Sequence, residues 1–218
     1  GAFSLPERKE YALPETGSQP KRSGGFSGGT TACGIRVSVE KRIFAVRPLT
    51  CGARRTMKES WKPGTMIYPL PAVLVGCGDA PDNWNLLTVA WTGTVCTAPP
   101  MCYVSVRPER HSHALIARTG EFTINLTTAA MARAVDWCGV RSGRDYDKFR
   151  ETGLTPLRGA VVAAPALEES PVVVECRVRQ ILPLGSNNMF LAEVVNVLVD
   201  GRYIDSATGR FDLERAGL

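Results

Sequence analysis

The sequence has few of the side chains on which metal and nucleophilic sites depend. Among its 218 residues only His111 and His113 are histidines, and no two of its seven cysteines have Cys-x-x-Cys spacing. The histidines lack a third ligand at a sensible spacing, so we expect neither a zinc site nor a thioredoxin-type redox motif. The Gly-x-Ser-x-Gly motif is also absent, and hydrolysis is therefore not expected.

Nucleotide-binding motifs and membrane-spanning runs are missing as well. No Gly-x-Gly-x-x-Gly opens a helix after a strand and no Gly-x4-Gly-Lys-Ser/Thr occurs, which excludes a Rossmann unit and a phosphate loop. The longest apolar runs, Val161–Leu167 and Val194–Val199, are far shorter than the roughly 18 to 20 residues of a membrane span. A composition of 44% apolar and 22% charged residues is typical of a globular protein, and the length suits one domain with an appendage.

The basic excess is confined to the first quarter of the chain. Residues 1–56 contain ten Lys or Arg and four Glu, whereas residues 57–218 contain 16 basic and 17 acidic side chains. Aromatic residues do not alternate with Lys and Arg as the stacking platforms of nucleic-acid binders do, so no nucleic-acid partner is expected. The scattered cysteines favour reduced, buried thiols and hence a cytoplasmic location.

Residues 1–56 are predicted to lie outside the folded domain. The segment Gly17–Thr31 is rich in Gly and Ser without periodicity and is predicted to be disordered. The Arg-rich, acid-poor composition is shared with organelle transit peptides, which would make the location organellar. We favour the alternative that Met57 is the natural start, so that the domain spans residues 57–218.

From Tyr68 onward the pattern predicts β-structure. Short apolar runs bounded by turn residues, and runs with period-two alternation, are typical of strands. The last two predicted strands flank a short polar loop and predict a long antiparallel hairpin. The predicted strands are Pro71–Gly78, Leu86–Val95, Met101–Arg107, Glu121–Leu126, Val172–Leu182 and Met189–Val199.

Two helices are predicted between the strands. Ser112 can cap a helix over His113–Thr119, which Gly120 ends in the left-handed conformation. A second helix is predicted over Ala129–Cys138, after two threonines either of which can cap it. Because the strands show no βαβ alternation, the pattern predicts a mainly β protein, a closed antiparallel barrel with short inserted helices.

The segment Ser105–His113 predicts an anion-binding site. A strand ends near Arg107 and Arg110, Pro108 turns the chain, and a helix begins close to Ser112. Free backbone N–H groups at the helix start, together with two guanidinium groups, suit a phosphate monoester. The alternative is that both arginines are solvated loop charges.

A second candidate is the strand Asn85–Gly93. Alternation gives it one bulky apolar face and one small, partly polar face. The small face suits a flat heteroaromatic ring lying close to the backbone, but a strand with one solvent-exposed face has the same pattern. The bulky face comprises Leu87, Val89 and Trp91, and the small face comprises Thr88, Ala90 and Thr92.

A third candidate is the segment Cys138–Phe149, a basic loop punctuated by Gly that follows the second helix. The alternative interpretation is a surface loop with a solvated charge cluster. In that case Phe149 would be a core side chain.

Taken in order, these segments resemble the flavin reductase-like family, the FMN-binding split barrels that include the flavoredoxins. The resemblance covers nearly all of residues 57–218, and its motifs are specific as a set although each alone is weak. The matching segments are Trp61–Met66, Pro69–Val75, Asn85–Gly93, Pro99–Pro100, Ser105–Ser112, Thr119–Leu126, Cys138–Phe149, Ser170–Pro171, Leu184–Ser186 and Phe211–Leu213.

The resemblance implies an antiparallel Greek-key split β-barrel with two or three short inserted helices, usually a homodimer, that holds flavin near the subunit interface. The flavin would be FMN, with FAD as the alternative. The resemblance places the isoalloxazine ring along the strand and the ribityl phosphate at the anion site. The implied cofactor-binding residues are Asn85, Thr88, Ala90, Trp91, Thr92, Ser105, Arg107, Arg110, Ser112 and Lys148.

The activity that the resemblance implies is that of an NAD(P)H-dependent flavin oxidoreductase. Hydride or electrons would pass between NAD(P)H or a redox partner protein and the flavin, with no side chain acting as a catalytic residue. Similar sequences usually continue past Phe211–Leu213 with a His-Gly-Glu-type motif, so we expect that the domain is truncated at Leu218. The alternative function is a flavin-binding barrel without turnover, either an electron carrier or a structural dimer.

Overall fold

The computed structural model describes residues 58–218, in which nine strands and four short α-helices follow one another. The predictions made for residues 1–56 concern residues outside this range. The strands are β1 Val73–Cys77, β2 Asn85–Val89, β3 Thr92–Thr97, β4 Pro100–Val106, β5 Glu121–Asn125, β6 Pro156–Arg158, β7 Pro165–Leu167, β8 Val172–Pro183 and β9 Asn188–Val199. The helices are α1 His111–Thr119 and α2 Ala132–Val140, then α3 Lys148–Thr152 and α4 Leu213–Ala216.

Seven strands form one antiparallel sheet in the order β2-β1-β5-β8-β9-β4-β3. The outermost strands β2 and β3 are consecutive in the chain, with only Ala90 and Trp91 between them. Because the three peptide units from Val89 to Thr92 span at most about 11 Å, the sheet must curl until its two edges meet. Strands β4 and β5 are consecutive in the chain but are separated by β9 and β8 in the sheet, so the connection between them, which contains α1, is a crossover and not a hairpin. The predicted antiparallel barrel is confirmed.

Strand β1 is buried along its whole length because both of its faces are covered. Val75 lies in the barrel interior with Phe122 and Phe190, which are also fully buried. Leu74 points the other way and packs in a second cluster with Val135 of α2. Burial of apolar side chains on both faces fixes α2 against the outside of the barrel.

Most of the predicted strands, including the final hairpin, are present in the structure with similar bounds. The long hairpin is β8–β9, paired from Val172–Val199 to Pro183–Asn188. The predicted strand Leu86–Val95 is wrong as a single element, because the chain turns at Ala90 and Trp91 and β2 and β3 then belong to opposite edges. The short strands β6 and β7 and the five-residue α3 were not predicted, since segments of three to five residues carry too little periodicity.

Within residues 58–218, none of the helices is long and apolar enough to cross a membrane.

Gly76 allows β7 to pack directly on the barrel. A Cβ atom at this position would lie 2.1 Å from the Pro165 carbonyl oxygen and 2.5 Å from the Thr123 hydroxyl. We predict that Gly76→Ala lowers the free energy of unfolding by about 1–3 kcal/mol, the usual cost of overpacking. Gly201→Ala is the matched control, because a Cβ there has no neighbour within 4 Å. Urea denaturation of both variants checks this, and equal stabilities would contradict the packing described.

Candidate functional site

Two adjoining cavities lie where β2, the end of β4 and the start of α1 come together. The cationic cavity has a volume of about 520 Å³, and the strand cavity has a volume of about 230 Å³. The cationic cavity is lined by Asn85, Leu87, Arg107, Glu109, Arg110, His111, Ser112, residues 141–145 and Lys148. The strand cavity is lined by residues 87–91, residues 105–107, Arg110 and Asn187. The two share Leu87, Arg107 and Arg110.

Nine of the ten predicted binding residues line these two cavities. Thr92 does not line either one, and its hydroxyl donates to the Tyr103 carbonyl at 2.6 Å within the β3–β4 pair. The structure thus brings the predicted residues together, while their binding roles remain predictions. Asn85, Arg107, Arg110, Ser112 and Lys148 line the cationic cavity, and Thr88, Ala90, Trp91, Ser105, Arg107 and Arg110 line the strand cavity.

The predicted division of β2 and its continuation into two faces is only partly correct. Leu87 and Val89 are buried in the barrel interior, but Trp91 is 41% exposed because the chain has already turned there. Thr88 faces α2, and its hydroxyl donates to the Val135 carbonyl. The small face is therefore partly covered by a helix, although Thr88 and Ala90 both line the strand cavity.

Helix α1 begins at the cationic cavity, two residues earlier than predicted. Its N-cap is Arg110, with extended backbone angles, no side-chain hydrogen bond and no acidic residue in the first turn. The first amides of a helix lack intrahelical acceptors and carry partial positive charge. His111 and Ser112, the first two residues of the helix, both line the cavity, so this end of α1 is suited to an anion.

Ser112 does not cap the helix as predicted, because it lies inside the first turn. It is buried, and its hydroxyl accepts a hydrogen bond from the Asn85 side-chain amide at 2.7 Å. Asn85 is the first residue of β2 and is buried as well. The pair therefore links the strand to the start of α1.

The loop between α2 and α3 closes the cavity from the other side. A Cβ atom on Gly143 would lie 2.1 Å from the Asn85 side-chain oxygen, so only a glycine allows the loop to approach this closely. At the end of the loop, the Lys148 ammonium donates to the Cys138 carbonyl of α2 at 2.7 Å. Lys148 is buried, and this burial lowers the pKa of its ammonium group. Lys148 thus holds the loop to α2.

Positive charge dominates the cationic cavity. Five cationic side chains line it, against the carboxylates of Glu109 and Asp145. Within residues 58–218, none of its guanidinium groups forms a salt bridge with a carboxylate. The cations are Arg107, Arg110, Arg141, Arg144 and Lys148. Guanidinium groups that lack a carboxylate partner and converge on one concave space favour an anionic ligand.

Two titratable groups beside the cavity are held in their neutral forms. Burial, together with the charges of Arg144 and Lys148, lowers the pKa of His111. Burial raises the pKa of the Cys77 thiol to about 11, so this thiol is protonated at neutral pH and is not a nucleophile. Among residues 58–218 no group of three His, Cys, Asp or Glu side chains is arranged to hold a metal ion.

The sequence reasoning selected only part of the residues that line the two cavities, and Arg141, Arg144 and Asn187 are among those it missed. Arg141 and Arg144 lie in the basic loop that was singled out, but only Lys148 was selected from it. Asn187 lies in the turn of the β8–β9 hairpin and reaches the strand cavity. Asn187 reaches this cavity only because the barrel closes and brings the hairpin turn close to β2, and no local sequence pattern predicts that closure.

Comparison with known proteins identifies the family to which this chain belongs. The chain matches the model of the flavin reductase like domain over residues 65–210, and it belongs to that family. The resemblance noted in the sequence is thereby confirmed. Membership supports a flavin-related oxidoreductase function.

Three similar proteins illustrate the range of the family. Flavoredoxin of Desulfovibrio vulgaris (Miyazaki F) is 33% identical, with a TM-score of 0.67 over 73% of this chain and 85% of that one. A protein with a split barrel domain from Shewanella frigidimarina is 27% identical, with a TM-score of 0.60 over 68% of this chain and 75% of that one. The reductase component of a 4-nitrophenol 4-monooxygenase/4-nitrocatechol 2-monooxygenase from Rhodococcus opacus is 28% identical over 57% of this chain and 64% of its own length.

The residues present fit a flavin nucleotide. The cationic cavity offers guanidinium groups and a helix N-terminus to a phosphate, and the strand cavity beside it offers backbone and small side chains to a planar ring. Together the two volumes fall within the roughly 300–1,000 Å³ of small-molecule sites.

We predict that Gly143→Ala weakens phosphate binding without unfolding the barrel. The added Cβ pushes the loop away from Asn85 and moves Arg144 with it. Because a hydrogen bond to a charged group contributes about 1.5–3 kcal/mol, the affinity for FMN should fall roughly tenfold to 150-fold. Calorimetric titration measures this, with Gly201→Ala as control. Unchanged affinity would show that the loop does not shape the site.

Proposed function

We propose that this protein binds FMN or FAD across the two adjoining cavities and acts as an NAD(P)H-dependent flavin oxidoreductase. The observation that carries the proposal is the convergence of unpaired guanidinium groups and the α1 N-terminus in one cavity, directly beside a strand cavity that shares Arg107 and Arg110 with it. A flavin nucleotide has a phosphate at one end and a planar ring at the other, and needs these two environments side by side.

In this proposal the chain binds and orients the flavin. Arg107, Arg110 and the first amides of α1 hold the phosphate, while the backbone near Ala90 and Ser105 borders the ring. The flavin supplies the hydride and electron chemistry when bound. Because His111 and the Cys77 thiol are both neutral at pH 7, we assign no acid–base or nucleophilic role to them.

We also propose that the protein is a homodimer whose second copy covers the surface beside the strand cavity. Several large apolar side chains there are exposed, among them Met66 at 65%, Ile67 at 79% and Leu184 at 61%. They surround a cavity of about 440 Å³ that shares Trp91 and Ser105 with the strand cavity. Exposed apolar side chains that cluster around one cavity favour an interface.

The phosphate site is tested by comparing FMN with riboflavin, which lacks the phosphate. We predict that FMN binds more tightly, and that Arg107→Gln lowers the affinity for FMN about tenfold, since a charge-assisted hydrogen bond contributes roughly 1.5–3 kcal/mol, while riboflavin is unaffected. Arg133→Gln is the charge-matched control, because Arg133 is exposed and lines a different cavity. Flavin fluorescence quenching gives the dissociation constants. Equal affinities for FMN and riboflavin would contradict the proposed site.

The oxidoreductase activity is tested separately with the flavin-loaded protein. Under anaerobic conditions we expect NADH or NADPH to bleach the flavin absorbance. Bound flavin that neither nicotinamide bleaches would instead favour an electron carrier that exchanges electrons with another protein. Absence of flavin binding would reject both.

The dimer is tested by light scattering with size-exclusion chromatography. We predict a mass of two chains, and Leu184→Glu should shift it toward one chain, because a carboxylate is costly to bury in an apolar contact. Arg133→Glu introduces the same side chain outside this surface and should leave the mass unchanged. A wild-type monomer that binds flavin normally would contradict the dimer.

A further inference from the structure

The turn of the β8–β9 hairpin, residues 184–187, places one buried amide side chain at the strand cavity. Asn187 is only 8% exposed, and it lines the strand cavity but not the cationic cavity. Connecting segments usually lie on the surface with their polar side chains in water. A buried asparagine in a hairpin turn therefore requires a specific explanation.

Three contacts fix the position of this turn. The Leu184 amide donates to the Asn187 carbonyl at 2.9 Å and closes the turn. The Asn188 side-chain nitrogen lies 2.9 Å from Nε2 of His113 in α1. The ring of His113 also packs edge-on against that of Phe190, with centroids 5.1 Å apart. The hairpin is thus tied to the helix whose N-terminus faces the cationic cavity.

The side chain of Asn187 has a free hydrogen-bond donor that faces the cavity. Its oxygen accepts from the Ser186 hydroxyl at 3.1 Å, whereas its nitrogen has no partner within residues 58–218. In the same range, every fully buried side-chain nitrogen or oxygen atom has a partner, so the Asn187 nitrogen is accessible. The open space that Asn187 lines is the strand cavity, and the amide can therefore donate to a ligand there.

The neighbouring side chains of the strand cavity are poorly suited to this task. Leu87, Val89 and Ala90 are apolar, and the Thr88 hydroxyl is already engaged by the Val135 carbonyl. The guanidinium groups of the cavity are shared with the cationic cavity. A planar heteroaromatic ring carries carbonyl and ring-nitrogen acceptors, which lose hydrogen bonds to water when they are buried. A neutral donor beside the strand is what such a ring requires.

From these observations we propose that Asn187 recognises the flavin ring by donating a hydrogen bond from its side-chain nitrogen to an acceptor atom of the ring. The inference rests on the proposed function and adds a residue that selects the ring, whereas the arginines select the phosphate. A flavin ring gains negative charge when it is reduced, and hydrogen bonds to charged acceptors are stronger than neutral ones. Asn187 therefore also raises the reduction potential of the bound flavin.

The test measures the affinity of the full chain, stripped of flavin, for FMN and for lumiflavin, which has the ring without the ribityl chain. We expect Asn187→Ala to weaken both about fivefold, since one neutral hydrogen bond contributes roughly two- to twelvefold in affinity. Asn187→Asp is similar in size but its carboxylate has no donor, so it should weaken both at least as much. Urea denaturation first establishes that each variant is folded.

Gln180→Ala is the matched control. It removes an amide from an exposed position of β8 in the same hairpin and should leave both affinities unchanged. The midpoint potential of bound FMN is the second readout. It should fall in Asn187→Ala, because the reduced ring loses the stronger hydrogen bond, and it should not change in Gln180→Ala.

The outcomes separate this inference from the proposed function. Weaker binding of FMN with unchanged lumiflavin affinity would place the amide on the ribityl chain and overturn the inference. Unchanged affinities in both Asn187 variants would also overturn it, while flavin binding stands. If lumiflavin binds too weakly to measure, the FMN potential decides, and an unchanged potential rejects the inference. A wild-type chain that binds neither ligand would reject the proposed function and the inference with it.

Discussion

The site depends on the side chain of Asn85, a buried polar group at the start of β2. Its amide nitrogen donates to Ser112 of α1, and its oxygen lies under Gly143 of the α2–α3 loop. A buried amide without partners is costly, so this residue fixes three segments that are distant in sequence relative to one another. Three of the four arginines of the cationic cavity, Arg110, Arg141 and Arg144, lie at the start of α1 or in the α2–α3 loop, which Asn85 joins, and Arg107 follows the end of β4.

The barrel supplies the rigidity that this arrangement requires. Strand β1 is buried on both faces and packs against α2. In the last turn of α2, the Cys138 carbonyl accepts a hydrogen bond from the Lys148 ammonium. The loop that bears Arg141 and Arg144 is therefore anchored at both ends. The guanidinium groups of this loop repel one another, and the contacts that anchor the loop offset this repulsion. An anionic ligand would reduce the repulsion.

The sequence was informative where a pattern is local. Arg107 and Arg110, between a strand end and a helix start, were predicted to form an anion pocket, and both line the cationic cavity, while their binding role stays a prediction. The resemblance to the family added the strand residues. The helix start was misplaced because Ser112 is a good capping residue in general, whereas here its hydroxyl accepts from Asn85, 27 positions away. Long-range partners of this kind leave no periodic signal. The turn at Ala90 and Trp91 escaped prediction for the same reason, since barrel closure and not local propensity ends β2.

The central claim is that the convergence of β2, α1 and the α2–α3 loop forms a phosphate site for a flavin nucleotide. A crystal structure of the protein with FMN tests it most directly. The account predicts that the phosphate lies within hydrogen-bond distance of the first amides of α1 and of the Arg107 or Arg110 guanidinium. A flavin whose phosphate lies outside the cationic cavity would contradict it.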